Sequence, residues 1–205
     1  MSAVLDIPAK ANELVSYNPA NGDEVGRVQI TSVEDVAAAV EKSRKTFEVW
    51  QLTPFRERKR IVMRARVVIL AEMDEIAKLI SDEMGKPIAE AISAEIAPVL
   101  DLMQYFAKNT EKMLRPEKRG IGMFNLMGRS SKIIYKPLGV VGIIPAWNFP
   151  FSIPLGEVVM ALMAGNTVVL KPSELTPLIG KKIAEIFEIA QLPKNVLQVI
   201  SGAGE

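Results

Sequence analysis

The sequence predicts an α/β protein in which helices cover an incomplete, open parallel sheet. Three observations support this fold class: apolar runs bounded by Gly and Pro, helical patterns between those runs, and an apolar helical periodicity in the first half of the chain. Strands that alternate with helices form βαβ units, and such units build a parallel sheet. The predicted elements follow the order strand at about 140–144, helix 153–164, strand 167–170, helix 176–190 and strand 196–200.

The beginning of the chain predicts a turn and a strand that lead into a first helix. Residues 17–23 combine Asn, Pro, Gly and Asp, which favour turns, and residues 25–30 alternate apolar and polar side chains. Thr31 stands three residues before Glu34, which is the spacing of a capping box at a helix start. We therefore expect Thr31 to be the N-cap of a helix with one apolar face.

Two longer helices are predicted after the first. Thr53 and Pro54 supply a hydroxyl cap and a residue suited to the first helical turn, and Gly85 ends the long pattern that follows. A further helical pattern at 88–113 contains Pro98, which lacks the N–H of an internal helical residue. We expect one continuous helix between Pro54 and Gly85, and a kink at Pro98 in the next helix.

A β arm is predicted at residues 120–137. Three glycines punctuate short runs there, and residues 131–135 have the composition of extended structure. The arm separates a mainly helical segment, 17–119, from the segment that forms the sheet, 138–205.

The composition restricts the chemistry that the chain can perform. The 205 residues are 49% hydrophobic and carry a net charge of +1, with acidic and basic residues interspersed. No Cys and no His is present, which excludes disulfides, thiolate or imidazole metal ligands and histidine bases. We expect a soluble, cytoplasmic protein with no metal site, no nucleic-acid partner and no membrane segment, since residues 1–14 lack the apolar core of a secretory signal.

Polar residues are concentrated where the three predicted strands end, at residues 145–149, 171–174 and 201–204. In an open parallel sheet, ligands bind beyond the carboxyl ends of the strands. Lys171 and Glu174 have the chemistry to hold the hydroxyls of an adenosine ribose. The same two residues also fit a solvated Lys and a Glu in a first helical turn, where the helix dipole favours a carboxylate by about 0.3 to 1 kcal/mol.

The segment that follows the third strand contains a Gly-x-Gly pattern, formed by Gly202 and Gly204. Such a pattern lets the backbone approach a pyrophosphate, although on its own it is more often an ordinary turn. Neither a complete G-x-G-x-x-G after the first strand nor a P-loop sequence is present. These absences disfavour an ordinary Rossmann dehydrogenase and a P-loop nucleotide hydrolase.

Asn148 is a polar side chain between the aromatic residues Trp147 and Phe149. In such an apolar setting an unpaired amide would cost free energy, so we expect this side chain to have a hydrogen-bond partner. It either stabilises a turn or donates its N–H to a developing negative charge. In the second case one donor contributes about 2.7 to 4 kcal/mol.

Two long motifs resemble the aldehyde dehydrogenase superfamily. The first combines Gly-Val-Val-Gly with Trp-Asn-Phe-Pro over residues 139–150, and the second is Ala-Gly-Asn-Thr-Val-Val-Leu-Lys-Pro-Ser-Glu-Leu-Thr-Pro at 164–177. The turn Asn-Pro-Ala-Asn-Gly at 18–22 and the helix end Glu-Met-Gly-Lys-Pro at 83–87 are similar to their counterparts in the family. The likeness extends from about Tyr17 to the last residue.

The resemblance implies the N-terminal part of the aldehyde dehydrogenase fold, with an incomplete open parallel Rossmann-like sheet. Such enzymes oxidise an aldehyde to a carboxylic acid through a cysteine thiohemiacetal and a thioester, with NAD or NADP as hydride acceptor. Asn148 would stabilise the oxyanion. The cofactor-binding residues implied by the resemblance are Ile144, Trp147, Lys171, Glu174 and Gly204. A carboxylate at position 174 suits a free ribose 2′-hydroxyl, so NAD is expected and NADP is left open.

The cysteine nucleophile of the family has no counterpart in this sequence. We interpret residues 1–205 as the N-terminal portion of the NAD-binding domain, without the catalytic and C-terminal oligomerisation parts and without aldehyde oxidation of its own. The alternative is a non-catalytic nucleotide-binding or assembly module that pairs with a full-length homologue. The partners expected are an aldehyde substrate in the full-length enzyme, a second copy, or the missing C-terminal part.

Overall fold

The computed structural model describes residues 12–204 of the chain. An antiparallel hairpin comes first, followed by a helical layer, a β arm and a parallel sheet with its own helices. The strands are β1 (Glu13–Tyr17), β2 (Glu24–Gln29), β3 (Glu117–Arg119), β4 (Ser131–Ile133), β5 (Val140–Ile143), β6 (Thr167–Leu170) and β7 (Leu197–Val199). The helices are α1 (Val33–Trp50), α2 (Phe55–Ala71), α3 (Met73–Met84), α4 (Ile88–Glu90), α5 (Ala97–Met113), α6 (Ser152–Ala164) and α7 (Pro177–Ile189). The predicted α/β fold class is confirmed, while most of the segment 1–14, which was expected to lack a secretory signal, lies outside the described residues.

The N-cap of α1 is Ser32, and the prediction that Thr31 caps this helix is wrong. The Ser32 hydroxyl accepts a hydrogen bond from the Asp35 N–H at 3.1 Å. Thr31 instead pairs with Ser201: its hydroxyl oxygen accepts from the Ser201 N–H at 2.9 Å, and its own N–H donates to the Ser201 carbonyl at 2.8 Å. A long-range contact with the end of the sheet therefore takes the hydroxyl that the local spacing assigns to the cap.

The long helix predicted between Pro54 and Gly85 is two helices, so that prediction is also wrong. The break between α2 and α3 falls at Glu72, whose backbone (φ −107°, ψ 19°) leaves the α-helical region. Both helices pack against α7. The helix also begins one residue later than predicted, because Pro54 is the N-cap residue of α2 and Thr53 provides no capping bond.

The distortion predicted at Pro98 lies one turn earlier. A π-helical segment, Ala91–Ile96, joins α4 to α5, and Pro98 occupies the first turn of α5. A proline removes the N–H that would bond to the carbonyl four residues before it. The wider π register before Pro98 accommodates that missing bond, so the helix changes its hydrogen-bonding pattern where a sharp kink was expected.

The arm predicted at 120–137 overlaps a short antiparallel hairpin, whose first strand, β3, lies just before the predicted segment. β3 pairs with β4 from Glu117 opposite Ile133 to Arg119 opposite Ser131. A 3-10 turn, Gly122–Asn125, lies between them. The extended region is shorter than the predicted 131–135, and most of the apolar side chains near the turn are exposed.

β5, β6 and β7 form the parallel sheet, with β6 in the centre. Successive side chains of a strand face opposite sides of the sheet. One face, including the fully buried Val168 and Leu170, packs with α6, α7 and the helical layer in a single apolar core. The opposite face lies against α1, where the Gln198 side-chain amide donates to the Ala39 carbonyl at 2.6 Å and to the Ser43 hydroxyl at 2.7 Å. α1 therefore packs on the face of the sheet that is opposite to α6 and α7.

The start of β5 is fixed beside the start of β6 by Gly165 and Asn166. Gly165 ends α6 in the left-handed conformation (φ 93°), and a Cβ at this position would lie 2.3 Å from Arg58 Nη1. The Asn166 side-chain oxygen accepts hydrogen bonds from the backbone N–H of Leu138 at 2.6 Å and of Gly139 at 3.0 Å. These contacts set the register between β5 and β6. That register determines which residues meet in the loops at the opposite ends of the two strands.

Within residues 12–204, no helix is both long enough and apolar enough to cross a membrane.

Candidate functional site

Three loops begin side by side at the carboxyl end of the parallel sheet. The N–H of Lys171 donates to the Ile143 carbonyl at 2.9 Å, and the N–H of Ile200 donates to the Leu170 carbonyl at 2.9 Å. Both bonds extend the strand pairing one residue beyond the regular strands. The residues after β5, β6 and β7 are thereby brought to one edge, as the sequence predicted, and this is the edge at which open α/β sheets bind ligands.

The ammonium group of Lys171 connects two of these loops. Its Nζ donates to the carbonyl oxygens of Gly202 at 2.9 Å and Pro172 at 3.2 Å. It also lies 3.7 Å from Glu174 Oε2. The Lys171 side chain is only 18% exposed, so its position is determined by packing and by these acceptors.

Glu174 lies at the surface beside Gly204. Its side chain is 43% exposed, which leaves carboxylate oxygen accessible to a ligand. A Cβ added to Gly204 would lie 3.9 Å from Glu174 Oε1. Lys171, Glu174 and Gly204 therefore form one group, which we call the ribose clamp after the role that the sequence predicts for Lys171 and Glu174.

Ile144 lies in a groove between α1 and the neighbouring face of the sheet. The groove has a volume of about 600 Å³ and is lined mainly by apolar side chains, with Lys171 among its lining residues. Ile144 itself is 76% exposed. Glu174, Gly204 and Trp147 are not among the lining residues. The ribose clamp thus adjoins the groove through Lys171, while Glu174 and Gly204 lie outside the groove at the carboxyl end of the sheet.

Trp147 and Asn148 are exposed on the loop that follows β5. The expectation that the Asn148 amide needs a partner because its neighbours are apolar is therefore wrong: solvent can satisfy an exposed amide. The main chain of Asn148, in contrast, is held, since its carbonyl accepts a hydrogen bond from Lys86 Nζ at 3.1 Å.

Lys86 and Glu95 are buried residues that the sequence analysis did not assign to the site. Their side chains are 7% and 0% exposed, and Lys86 Nζ lies 2.6 Å from Glu95 Oε1. The second oxygen of Glu95 accepts from the N–H groups of Phe151 at 2.9 Å and Ser152 at 3.2 Å. A signal was present in the sequence, because Glu95 falls in the same helical row as Ala91 and is the one charged residue in an apolar pattern there.

Glu83 plays a comparable part at the start of α7. It is 5% exposed and accepts hydrogen bonds from the N–H groups of Leu178 at 3.0 Å and Ile179 at 2.8 Å. Burial raises the pKa of the Glu83 carboxyl from 4.5 to about 7, and the Ser16 hydroxyl and the two backbone N–H groups only partly oppose that rise. The carboxyl group therefore titrates near neutral pH.

In the described part of the chain, no cluster of three or more metal-ligating side chains is present. At the carboxyl end of the sheet, the groups considered for chemistry are the Lys171 ammonium, the Glu174 carboxylate, the exposed Asn148 amide and backbone groups.

A comparison with protein-family models decides the identity of the chain: the model of the aldehyde dehydrogenase family matches residues 7–205. The chain belongs to the aldehyde dehydrogenase family. The resemblance read from the motifs at residues 139–150 and 164–177 is thereby confirmed.

Two curated relatives show how similar this chain is to other aldehyde dehydrogenases. It is 37% identical over 193 residues to 1-pyrroline-5-carboxylate dehydrogenase 2 of Bacillus subtilis, covering 94% of this chain and 36% of the relative. It is 35% identical over 187 residues to malonate-semialdehyde dehydrogenase of Bacillus pumilus, covering 91% of this chain and 37% of the relative. The chain spans little more than a third of the length of these relatives and corresponds to their N-terminal portion.

Solved aldehyde dehydrogenases share the fold of this chain. An aldehyde dehydrogenase from Mycobacterium tuberculosis, solved in complex with NAD+, is 33% identical and has a TM-score of 0.87, with 96% of this chain and 40% of that chain covered. One from Brucella melitensis is 30% identical with a TM-score of 0.87, covering 95% of this chain and 39% of that one. The aldehyde dehydrogenase fold, in its N-terminal portion, is thus confirmed. The roles of individual site residues stay predictions.

Proposed function

We propose that this chain carries the adenosine-ribose site and the oxyanion amide of an NAD-dependent aldehyde dehydrogenase. The full reaction oxidises an aldehyde to a carboxylic acid through a thiohemiacetal and a thioester on a cysteine, and these 205 residues contain no cysteine. The observation that supports the proposal best is the ribose clamp, in which Lys171 Nζ lies 3.7 Å from Glu174 Oε2 at the carboxyl end of a parallel sheet.

The residues present fit a nicotinamide dinucleotide. The partly exposed carboxylate of Glu174 can accept hydrogen bonds from ribose hydroxyls, and the ammonium of Lys171 is already oriented by Gly202 and Pro172. The absence of a Cβ at Gly204 keeps the backbone there open to close approach. When bound, NAD supplies the acceptor for the hydride of the aldehyde. Ile144 and Trp147 provide exposed apolar surface on the loop that precedes Asn148.

Asn148 supplies the group that stabilises negative charge. Its side chain is exposed and its main chain is fixed by Lys86, so the amide N–H is available to an oxygen of the substrate. A preoriented donor of this kind contributes about 2.7 to 4 kcal/mol to the stabilisation of an oxyanion.

A carboxylate at position 174 favours NAD over NADP, because it repels a 2′-phosphate and accepts a 2′-hydroxyl. We expect isothermal titration of the chain to show tighter binding of NAD than of NADP. Glu174→Gln should weaken NAD binding by about tenfold, the loss expected for one hydrogen bond to a charged group, and should reduce the preference over NADP. Glu188→Gln, at the exposed end of α7, is the matched control. Absence of nucleotide binding by the unaltered chain would contradict the cofactor part of the proposal.

We expect the chain alone to show no aldehyde oxidation, because the sequence holds no thiol nucleophile. The measurement is the absorbance of NADH after addition of an aldehyde and NAD to the pure chain. Sustained NADH formation would contradict this expectation. The two relatives described above carry the names of different substrates, so the proposal extends to an aldehyde and not to a particular one.

A second candidate function is assembly with the remainder of an aldehyde dehydrogenase or with another copy. Within the described residues β5 pairs only with β6, which leaves its other edge open, and Leu138 at its start is 91% exposed. Unpaired strand edges and contiguous exposed apolar surface favour association. α6 and α7 both cover the same face of the sheet. A further strand that pairs with the open edge of β5 would therefore need its right-handed connection from β7 to cross the opposite face, which is the face with the groove.

The assembly proposal is tested by light scattering coupled to size-exclusion chromatography. We expect the chain to self-associate or to co-elute with a full-length homologue. Leu138→Asp should reduce that association, whereas Leu52→Asp, at a 77% exposed position after α1, should not. A chain that remains monomeric, melts cooperatively and does not bind a homologue would exclude this function.

A further inference from the structure

Within the described residues, the other side-chain hydrogen bonds and the ring contact of the buried Lys86–Glu95 ion pair are made with one segment, residues 147–152. Lys86 Nζ donates to the Asn148 carbonyl at 3.1 Å and lies 4.2 Å from the centre of the Phe149 ring. Glu95 Oε2 accepts from the N–H groups of Phe151 and Ser152. The pair therefore holds the loop near its beginning, at Asn148 and Phe149, and near its end, at Phe151 and Ser152.

Stability alone does not account for this pair. Removing two charges from water costs several kcal/mol per ion, and buried ion pairs are often replaced by apolar residues without loss of stability. The pair has a clear local effect instead, because the N-cap residue of α6, Phe151, makes no side-chain capping bond. Glu95 supplies the acceptor and the negative charge that the first turn of α6 requires.

The backbone around Glu95 is itself irregular. Glu95 lies in the π-helical segment Ala91–Ile96 and is fully buried. Single-turn π segments inside helices are rare and are often found at functional sites.

We propose that Lys86 and Glu95 are positioning residues that hold the main chain of the Trp147–Ser152 loop and thereby orient the exposed amide of Asn148. The inference rests on the proposed role of Asn148 as the oxyanion donor. Because the Asn148 side chain is exposed, its direction depends on the backbone that carries it. The backbone is held at the Asn148 carbonyl by the ammonium and three residues later by the carboxylate.

The test uses the two tryptophans of the chain, which are its only ones. Trp147 lies on the loop, and Trp50 is 3% exposed in the core and serves as an internal reference. Incorporation of 5-fluorotryptophan gives two ¹⁹F resonances, assigned with Trp147→Phe. The variant is Lys86→Met combined with Glu95→Leu, which removes both charges and so leaves no uncompensated ion in the core.

In the unaltered chain we expect both resonances to be dispersed from their positions in the denatured chain. In the double variant the Trp147 resonance should move most of the way to its denatured position, while the Trp50 resonance remains at its folded position. A purely structural pair predicts a lower melting temperature with an unchanged Trp147 resonance, and this result would overturn the inference. A Trp147 resonance that already lies at its denatured position in the unaltered chain would overturn it as well, even if the double variant did not fold.

A second measurement separates this inference from the proposed function. The ribose clamp lies on loops after β6 and β7, whereas Trp147 lies on the loop that the pair holds. The double variant should therefore still bind NAD, within about threefold of Trp147→Ala, a difference of less than about 0.7 kcal/mol. Failure of the unaltered chain to bind NAD would contradict the proposed function and leave the ¹⁹F result unaffected. Unchanged loop order in a double variant that binds NAD would contradict the positioning role alone.

Discussion

Replacing Glu83 with Gln should change how the stability of this protein depends on pH. The Glu83 carboxyl is buried and accepts two backbone N–H groups at the start of α7, and its pKa in the folded protein is raised from 4.5 to about 7, mainly by burial. The folded state therefore holds the proton more strongly than the unfolded chain does. The stabilisation that results is complete below about pH 4.5 and is lost as the pH rises to about 7.

The size of this effect follows from the two pKa values. The interval from 4.5 to about 7 corresponds to roughly 3 kcal/mol, at about 1.4 kcal/mol for each pH unit. Gln is uncharged at every pH, and its side-chain oxygen can still accept the N–H groups of Leu178 and Ile179. The free energy of unfolding of Glu83→Gln minus that of wild type should therefore increase by up to roughly 3 kcal/mol between about pH 4.5 and pH 8.

Urea denaturation of both proteins across this pH range measures the difference, and the subtraction cancels the other titrating groups. Glu188→Gln removes a carboxylate from an exposed position of the same helix and gives the background for the loss of one charge. A difference that stays constant with pH would refute the assignment of a raised pKa to Glu83. A difference that decreases as the pH rises would show that the α7 N-terminus lowers the pKa more than burial raises it.

Four further substitutions test the packing and the hydrogen bonds that support the site. Gly180→Ala should destabilise the protein by about 1 to 3 kcal/mol in denaturant titration, because the new Cβ would lie 2.4 Å from Pro172 Cγ; Gly156→Ala, where the nearest atom is 3.4 Å away, should cost little or stabilise. Asn166→Ala should cost roughly 2 kcal/mol, since two backbone N–H groups at the start of β5 lose their acceptor, and an unchanged melting temperature would contradict this. Ser32→Ala should cost about 1 kcal/mol by removing the cap of α1, and hydrogen exchange of the first turn of that helix would reveal the loss or its absence.

The order of strands and helices could be predicted from sequence because each depends mainly on local pattern. The apolar runs at 140–144, 167–170 and 196–200 correspond to β5, β6 and β7, with ends that differ by at most one residue. Helix ends with a strong local signal were also placed correctly: Gly85 is the C-cap residue of α3, in the left-handed conformation. Where the local signal competes with a distant contact, the distant contact prevails, as at Thr31.

The break at Glu72 could not be predicted from the helical pattern, because its apolar stripe continues through α2 and α3. The reason for the break lies elsewhere in the fold. Lys182 on α7 lies 3.0 Å from Glu72 Oε2 and donates to Glu75 Oε1 at 2.8 Å. These contacts connect the junction of α2 and α3 to α7. Lys182 follows Glu75 by 107 residues, so the helical pattern of the junction carries no sign of the contact.

The candidate site was predictable to the extent that strand pairing determines it. Lys171, Glu174 and Gly204 follow neighbouring parallel strands, so their proximity follows from the register. The environment of Asn148 was not predictable in this way. Its aromatic neighbours indicated an apolar setting, but a loop residue between two aromatic side chains can still face solvent, and Trp147 is itself 53% exposed.

The helical layer belongs to the site as much as the sheet does. α6 and α7 follow the loops that carry Asn148 and Glu174, and neither helix has a capping bond from the side chain of its own N-cap residue. The acceptors come from Glu95 and Glu83, which precede the N–H groups they bind by 56 and 95 residues or slightly more. Since each carboxylate determines where a loop ends and a helix begins, changes in α3 or in the π-helical segment should alter these loops before they alter the sheet.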